Sequence, residues 1–167
     1  MDRSSILLFI TGGTFDKEYD EITGRLYFKD SHVSEMLKLG RCLADVQTRT
    51  LMMVDSLEMT ADDRDGILKQ CRNCPQSRIV ITHGTDTMSE TARVLGEAAI
   101  AGKTIVLTGA MVPYKFGSSD GLFNLGSALA FVQTLPPGVY VAMNGRALPW
   151  DNVMKNRRTG EFSGKTE

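Results

Sequence analysis

Residues 78–90, which read RIVITHGTDTMSE, decide the fold class of this chain. Arg78–Thr82 is a short run of Ile and Val without polar alternation, as is typical of a strand buried on both faces. A loop containing Gly84 follows, and residues 87–90 have the spacing of a capping box at the start of a helix. The stretch therefore predicts a buried strand, a glycine loop and a helix in succession.

The same alternation continues on both sides of this stretch. Further strands are predicted at 5–10, 50–54, 104–108 and 139–143, and helices at 31–39, 61–72, 87–99 and 119–134. Alternating strands and helices indicate an α/β fold, a single-domain open parallel sheet with helices on both faces, flavodoxin-like or Rossmann-like. We expect about five strands in the order 2-1-3-4-5, numbered along the chain.

Two segments lie outside this pattern. Residues 12–28 show no clear strand or helix pattern, and a loop of that length in a compact domain is usually functional or disordered. The tail from about residue 150 onward is basic, and we expect a solvated, mobile end. Neither segment resembles a domain boundary, so residues 1–167 are expected to form one domain.

Composition and charge exclude several functions. A formal net charge of −1 gives no electrostatic footprint for nucleic acid or an anionic membrane. The first apolar run, residues 6–10, is too short to span a bilayer and no cleavage site follows it, so we expect a cytoplasmic protein. Cys71 and Cys74 form a lone CxxC without enough further ligands for zinc, and nucleotide-binding glycine motifs are absent. We therefore expect no metal and no cofactor.

The candidate site lies where the strand order reverses. In an open parallel sheet, ligands bind beyond the carboxyl ends of the strands at that point. Predicted strands 1 and 3 flank it and are followed by residues 11–14 (TGGT) and 83–87 (HGTDT), so Thr14 and Thr85 should face each other. Hydroxyls, a carboxylate, lysine and tyrosine suit attack by an activated threonine. For His83, packing inside the protein is the alternative to a role in catalysis.

These motifs resemble those of the bacterial-type L-asparaginase family. Residues 11–15 (TGGTF) are similar to its first threonine motif and residues 82–88 (THGTDTM) to its second. The similarity continues through residues 109–113 and 119–125 and covers nearly the whole chain in the same order. The resemblance implies an amidohydrolase that converts L-asparagine, or L-glutamine, to the corresponding acid and ammonia.

The resemblance also implies roles for individual residues. Thr14 matches the primary nucleophile and Thr85 the second threonine. Asp86 matches the carboxylate that supports Thr85 and receives the substrate α-ammonium group. Lys155 matches the family's lysine when residues are counted from the fifth strand without a gap, and a desolvated lysine can accept a proton.

Further positions match the substrate pocket of the family. Ser56 matches the serine that binds the α-carboxylate, although Leu57 stands where the family usually has glutamine. Gly84 and Ala110 match pocket-lining positions. Gly13 lies in the first Gly-Thr loop, and backbone N–H groups in the two such loops are natural oxyanion donors.

The family also uses a tyrosine on a mobile loop after the first motif, and two residues qualify here. Tyr27 lies at the distance from Thr14 that is typical of the long-chain enzymes. Tyr19 lies closer to the first motif, as in short-chain members. We expect residues 15–28 to act as a lid that becomes ordered when a ligand binds.

The main departure from the family is length. Full-length asparaginases carry a C-terminal domain, and residues from a neighbouring subunit's second domain complete each active site, whereas this chain resembles a short-chain asparaginase that lacks that domain. A homo-oligomer is still expected. Two alternatives stay open, a non-catalytic amino-acid-binding domain and an ammonia-releasing subunit of an amidotransferase, since tRNA-dependent amidotransferases contain a similar domain.

Overall fold

The apolar runs of the sequence form a central sheet in the computed structural model, which describes residues 5–166. The strands are β1 (Ile6–Gly12), β2 (Lys17–Asp20), β3 (Arg25–Phe28), β4 (Val46–Val54), β5 (Arg78–Thr82), β6 (Thr104–Thr108), β7 (Gly138–Met143), β8 (Arg146–Pro149), β9 (Met154–Lys155) and β10 (Phe162–Ser163). The helices are α1 (Val33–Leu39), α2 (Ala61–Asn73), α3 (Met88–Glu97) and α4 (Gly121–Thr134).

The central sheet has six strands in the order β4-β1-β5-β6-β7-β8. The first five are parallel and follow the predicted order, which confirms the α/β assignment. The sixth, β8, is antiparallel and was not expected. It returns along β7 through Asn144 and Gly145, whose φ angles of 56° and 73° are left-handed. An Asn-Gly pair favours such a two-residue hairpin turn, so residues 144–145 indicate a hairpin and hence a strand such as β8 after β7.

Helices cover both faces of the sheet, because successive side chains of a strand point to opposite sides. Leu7 and Phe9 of β1 pack into one apolar core with α2 and α3. Ile6 and Leu8 pack into a second core with α1 and α4. Burial on both faces explains why the parallel strands read as continuous apolar runs. No helix in residues 5–166 is long and apolar enough to cross a membrane.

Residues 12–28 are more ordered than the sequence pattern suggested. After a short 3₁₀ turn at Thr14–Asp16, β2 and β3 pair as an antiparallel hairpin. The buried carboxylate of Asp16 closes the base of this hairpin, since its Oδ1 accepts from the backbone N–H of His32 at 2.8 Å. The expectation of a patternless loop was wrong because a small hairpin lying outside the main sheet needs no apolar alternation.

The basic tail is not a free end. Val153 and Phe162 are buried in the core beside α2 and α3, and β9 pairs with β10 so that Phe162 lies opposite Lys155. The backbone N–H of Phe162 also donates to Asn144 Oδ1 at 2.8 Å. Two isolated apolar anchors are too few to show periodicity, which is why the sequence suggested a solvated segment. The fold therefore holds Lys155 in a fixed place.

Candidate active site

The ends of β1 and β5 place the two Gly-Thr loops in contact. These strands are parallel neighbours, with Ile10 opposite Thr82 in the last register pair. A Cβ atom on Gly13 would lie 2.4 Å from the backbone nitrogen of Gly84, and Gly13 has a φ of 77° that strains other residues. Glycine is therefore required at position 13 for the two loops to approach each other.

Lys155 joins the second threonine loop from the far end of the chain. Its Nζ donates to Thr85 Oγ1 at 2.8 Å and forms an ion pair with Asp86 Oδ1, also at 2.8 Å. Thr85 is 6% exposed, and the side chain of Lys155 is 11% exposed. A shielded ammonium within hydrogen-bond reach of both a hydroxyl and a carboxylate supplies the groups needed to move a proton.

Thr14 offers groups that the fold leaves free. It is half-buried and begins the 3₁₀ turn after β1. Among residues 5–166, neither its hydroxyl nor its backbone N–H has a hydrogen-bond partner, and the backbone N–H of Thr85 has no acceptor either. Free donors at the edge of a buried sheet are suited to hold a substrate or a developing oxyanion.

Ser56 lies behind the second threonine loop, beyond the end of β4. It is buried, and a Cβ on Gly84 would lie 2.5 Å from its Oγ. Ser56 Oγ accepts from the backbone N–H of Thr87 at 3.3 Å, and its carbonyl accepts from Thr87 Oγ1 at 2.8 Å. This second bond replaces the capping box predicted at residues 87–90, because the Thr87 side chain caps no helix amide. Leu57 is exposed and carries no polar group.

Ala110 is buried in the loop that follows β6. The carboxylate of Asp120 shapes this loop by accepting from the backbone N–H groups of Met111 and Val112 at 2.9 and 3.0 Å. Asn124 Nδ2 donates to a backbone carbonyl of the same loop at 2.9 Å. The start of α4 therefore fixes the position of Ala110 relative to the sheet edge.

The two candidate tyrosines lie on opposite faces of the β2–β3 hairpin. Tyr27 is directly opposite Glu18 and donates to its Oε2 at 3.1 Å. Tyr19 shares the other face with Lys17, which forms an ion pair with Asp55 beside Ser56. Lys17 on this face reaches the loop after β4, whereas the Tyr19 ring lies edge-on to Phe116, with 6.3 Å between the ring centroids.

His83 is a packed, neutral residue. It is fully buried, and burial lowers its pKa to about 4. Its Nδ1 lies 2.8 Å from the Gly84 carbonyl oxygen, and its Nε2 lies 2.7 Å from Thr91 Oγ1. Because a carbonyl can only accept, the geometry assigns the ring proton to Nδ1, and Nε2 accepts from the Thr91 hydroxyl. The structure therefore favours a packing role for His83 over a catalytic one.

The burial of His83 predicts a loss of stability in acid. Its pKa is about 4 when folded and ordinarily 6.5, so the unfolded chain binds more protons between these values. The free energy of unfolding should therefore fall by up to roughly 1 kcal/mol per pH unit as the pH drops from 6.5 toward 4, with no such loss above 6.5. His83→Asn keeps an N–H donor but does not titrate. In urea unfolding, the advantage of the wild type over this variant should shrink across that range, and a constant difference would contradict a buried neutral imidazole.

The cysteines take no part in this site. Cys71 and Cys74 are buried free thiols at the end of α2, and burial raises the pKa of Cys71 to about 12. The Cys71 thiol therefore remains protonated and unreactive at neutral pH. Within the described part of the chain, no group of three or more His, Cys, Asp or Glu side chains is arranged to hold a metal ion.

Known asparaginases match this chain in sequence and in fold. The family model described as "Asparaginase, N-terminal" matches residues 5–162. The probable periplasmic L-asparaginase of Haemophilus influenzae is 31% identical to this chain, and the match covers 95% of this chain and 48% of that protein. The structure of a probable cytoplasmic L-asparaginase from Campylobacter jejuni superposes with a TM-score of 0.84 at 31% identity, covering 96% of this chain and 53% of that one.

A further relative has a different name. A glutamyl-tRNA(Gln) amidotransferase subunit of Methanococcus vannielii is 30% identical, covering 84% of this chain and 34% of that protein. The chain spans about half the length of the asparaginases that it matches. The family model nevertheless accounts for nearly all of the chain, in one continuous match. The chain therefore belongs to the asparaginase family, and residues 5–162 correspond to the N-terminal domain of that family.

Proposed function

We propose that this chain is an L-asparaginase that hydrolyses the side-chain amide of L-asparagine to L-aspartate and ammonia. The observation that carries the proposal is the cluster in which Lys155 Nζ lies 2.8 Å from both Thr85 Oγ1 and Asp86 Oδ1, in the loop that contacts the Thr14 loop. L-Glutamine is the alternative substrate, since it carries the same amide on a chain one methylene longer.

The proposed reaction is acyl transfer in two steps. The Thr14 oxygen attacks the amide carbon because its hydroxyl has no partner among the described residues, whereas Thr85 is already held by Lys155. The threonine proton passes to a tyrosine, or through Thr85 to Lys155 acting as a neutral amine, and from there to the amide nitrogen, which departs as ammonia. Water then attacks the threonine ester and releases L-aspartate. The backbone N–H groups of Thr14 and Thr85, which have no acceptor among the described residues, are proposed to stabilise the oxyanion.

The same residues account for recognition of an amino acid. The carboxylate of Asp86 is 41% exposed, so it can bind the α-ammonium group while its Oδ1 is paired with Lys155. Ser56 is proposed to bind the α-carboxylate with its hydroxyl hydrogen, because the oxygen already accepts from Thr87. Gly13 and Gly84 let the two threonine loops and Ser56 lie against one another, and Ala110 is proposed to line the pocket beside them.

Ammonia release from L-asparagine by the purified chain tests this proposal directly, with L-glutamine assayed in parallel. We expect equal amounts of ammonia and L-aspartate. A non-catalytic amino-acid-binding domain would bind L-aspartate in calorimetry and release no ammonia. The similarity to an amidotransferase component supports the other alternative, which requires a stable complex with another protein and weak activity of the isolated chain.

Tyr19 is the better candidate for the catalytic tyrosine, because it lies on the hairpin face that carries Lys17 toward Asp55. We expect Tyr19→Phe to lower kcat by roughly 10²-fold, the scale of a positioned acid or base. Tyr27→Phe is the matched control and should change kcat by less than about threefold. The reverse order of the two variants would assign the role to Tyr27, and full activity in both would remove the lid tyrosine from the mechanism.

We also propose that the protein is a homo-oligomer of the cytoplasm. Helix α4 contains no charged residue, and Phe123 on its outer side is exposed, which fits contact with a second copy in a homo-oligomer. Three free cysteines fit a reducing compartment such as the cytoplasm.

A further inference from the structure

Arg64 is a buried guanidinium close to the candidate site. It lies in the first turn of α2 and is only 8% exposed. Its Nη1 donates to the Met59 carbonyl at 2.9 Å, its Nε to Thr91 Oγ1 at 3.1 Å and its Nη2 to Thr87 Oγ1 at 2.8 Å. The half-exposed carboxylate of Glu90 lies 3.4 Å from Nη2 and balances the charge. The Arg64 side chain thus links the start of α3 to the loop before α2 by hydrogen bonds.

The bond to Thr91 continues into the second threonine loop. Since Thr91 Oγ1 accepts from Arg64, its own proton is directed to His83 Nε2, 2.7 Å away. His83 Nδ1 in turn donates to the Gly84 carbonyl at 2.8 Å. The C=O and N–H of a trans peptide point in opposite directions, so fixing the Gly84 oxygen toward His83 turns the Thr85 N–H away from it. That N–H is one of the free donors of the site.

The hydrogen bond from Arg64 to Thr87 leads to the loop that carries Ser56, the residue proposed to bind the α-carboxylate. Thr87 Oγ1 accepts from Arg64 and donates its proton to the Ser56 carbonyl at 2.8 Å. The Thr87 backbone N–H donates to Ser56 Oγ at 3.3 Å, which orients the hydroxyl proposed to bind the α-carboxylate. A Cβ on Gly84 would lie only 2.5 Å from that Oγ, so the two loops cannot shift independently.

We propose that Arg64 is a positioning residue of this site, acting through the hydroxyls of Thr91 and Thr87 to set the Gly84–Thr85 peptide and the Ser56 loop. This inference rests on the proposed asparaginase activity. The hydrogen bonds run from Arg64, which can only donate, through the Thr91 and Thr87 hydroxyls to the two loops that would hold the substrate.

Thr91 is the position at which positioning and packing can be separated. Thr91→Val keeps the shape of the side chain and removes the hydroxyl, whereas Thr91→Ser keeps the hydroxyl and removes a methyl group. A positioning role predicts that Thr91→Val loses roughly tenfold or more in kcat while Thr91→Ser keeps most of it. A packing role predicts the opposite order. Arg72→Met, on the exposed end of α2, should behave as wild type.

¹⁵N NMR on the resting protein gives a readout independent of turnover. His83 is one of two histidines, so its unprotonated Nε2 is readily assigned. Thr91→Val should shift the Nε2 and Thr85 amide resonances, and Thr91→Ser should restore both. If wild type releases no ammonia, the proposed function fails while these resonances still test the relay.

Arg64→Lys provides a second variant if Thr91→Val does not fold. Lysine retains the charge but cannot donate to both threonine hydroxyls in a fixed fork, so kcat should again fall by roughly tenfold. The inference is overturned if Thr91→Val is as active as Thr91→Ser, if the His83 and Thr85 resonances stay in place in Thr91→Val, or if Arg64→Lys turns over like wild type.

Discussion

Thr14→Ala should abolish ammonia release, with a loss of roughly 10³-fold or more in kcat, and should leave the fold intact. Thr14 is half-buried and its hydroxyl bonds to no described residue, so truncation strands no buried partner. We therefore expect the free energy of unfolding to change by no more than about 1 kcal/mol. The variant, in contrast, lacks the hydroxyl oxygen that attacks the amide carbon in the proposed mechanism.

Ammonia assays and urea unfolding of the same preparations check both halves of this prediction. Thr14→Ser is the matched variant, since it keeps a hydroxyl at the same position and should retain part of the activity. Turnover of Thr14→Ala within about twofold of wild type would remove Thr14 from the mechanism. Loss of activity together with loss of the cooperative unfolding transition would show that Thr14 supports the fold instead.

Lys155→Met should lower kcat by roughly 10²-fold or more. Methionine retains much of the length of the side chain but leaves Thr85 Oγ1 and Asp86 Oδ1 without their shared donor at 2.8 Å. Asp86 then keeps a negative charge beside Thr85 without its cation, which alters both proton transfer and binding of the α-ammonium group. KM for L-asparagine should therefore change as well.

Lys165→Met is the matched control for Lys155→Met, because Lys165 lies in the same tail with an exposed side chain. We expect its kcat to stay within about twofold of wild type. The measurement is steady-state ammonia release over a range of L-asparagine concentrations. Equal kinetics for the two lysine variants would show that the ion pair of Lys155 with Asp86 has no part in turnover.

The parallel sheet was predictable because strands buried on both faces read as continuous apolar runs. Runs such as Arg78–Thr82 indicated the strands, and the order was taken from the flavodoxin-like arrangement expected for such a sheet. The elements that were missed lack that signal. β2 and β3 form a small hairpin outside the central sheet, and the tail is held by the single buried side chains of Val153 and Phe162.

The candidate site was predictable only in part. The rule that ligands bind at strand ends places Thr14 and Thr85 together, and the family resemblance adds Lys155. Arg64 could not be found in this way, because α2 contains several charged residues and Arg64 reads as one more residue of a solvated face. Thr91, likewise, is one threonine in a helix, and its bond to His83 depends on tertiary packing that a sequence pattern does not show.

The most direct test of the mechanism is a double-mutant cycle of Thr14→Ala and Thr85→Ala, scored by kcat for ammonia release from L-asparagine. The central claim is that the two threonines act as one unit at the ends of neighbouring strands. Each single variant should lose nearly all activity, and the double variant should be little worse than either. Near-normal turnover in either single variant, or losses that multiply in the double variant, would contradict the claim.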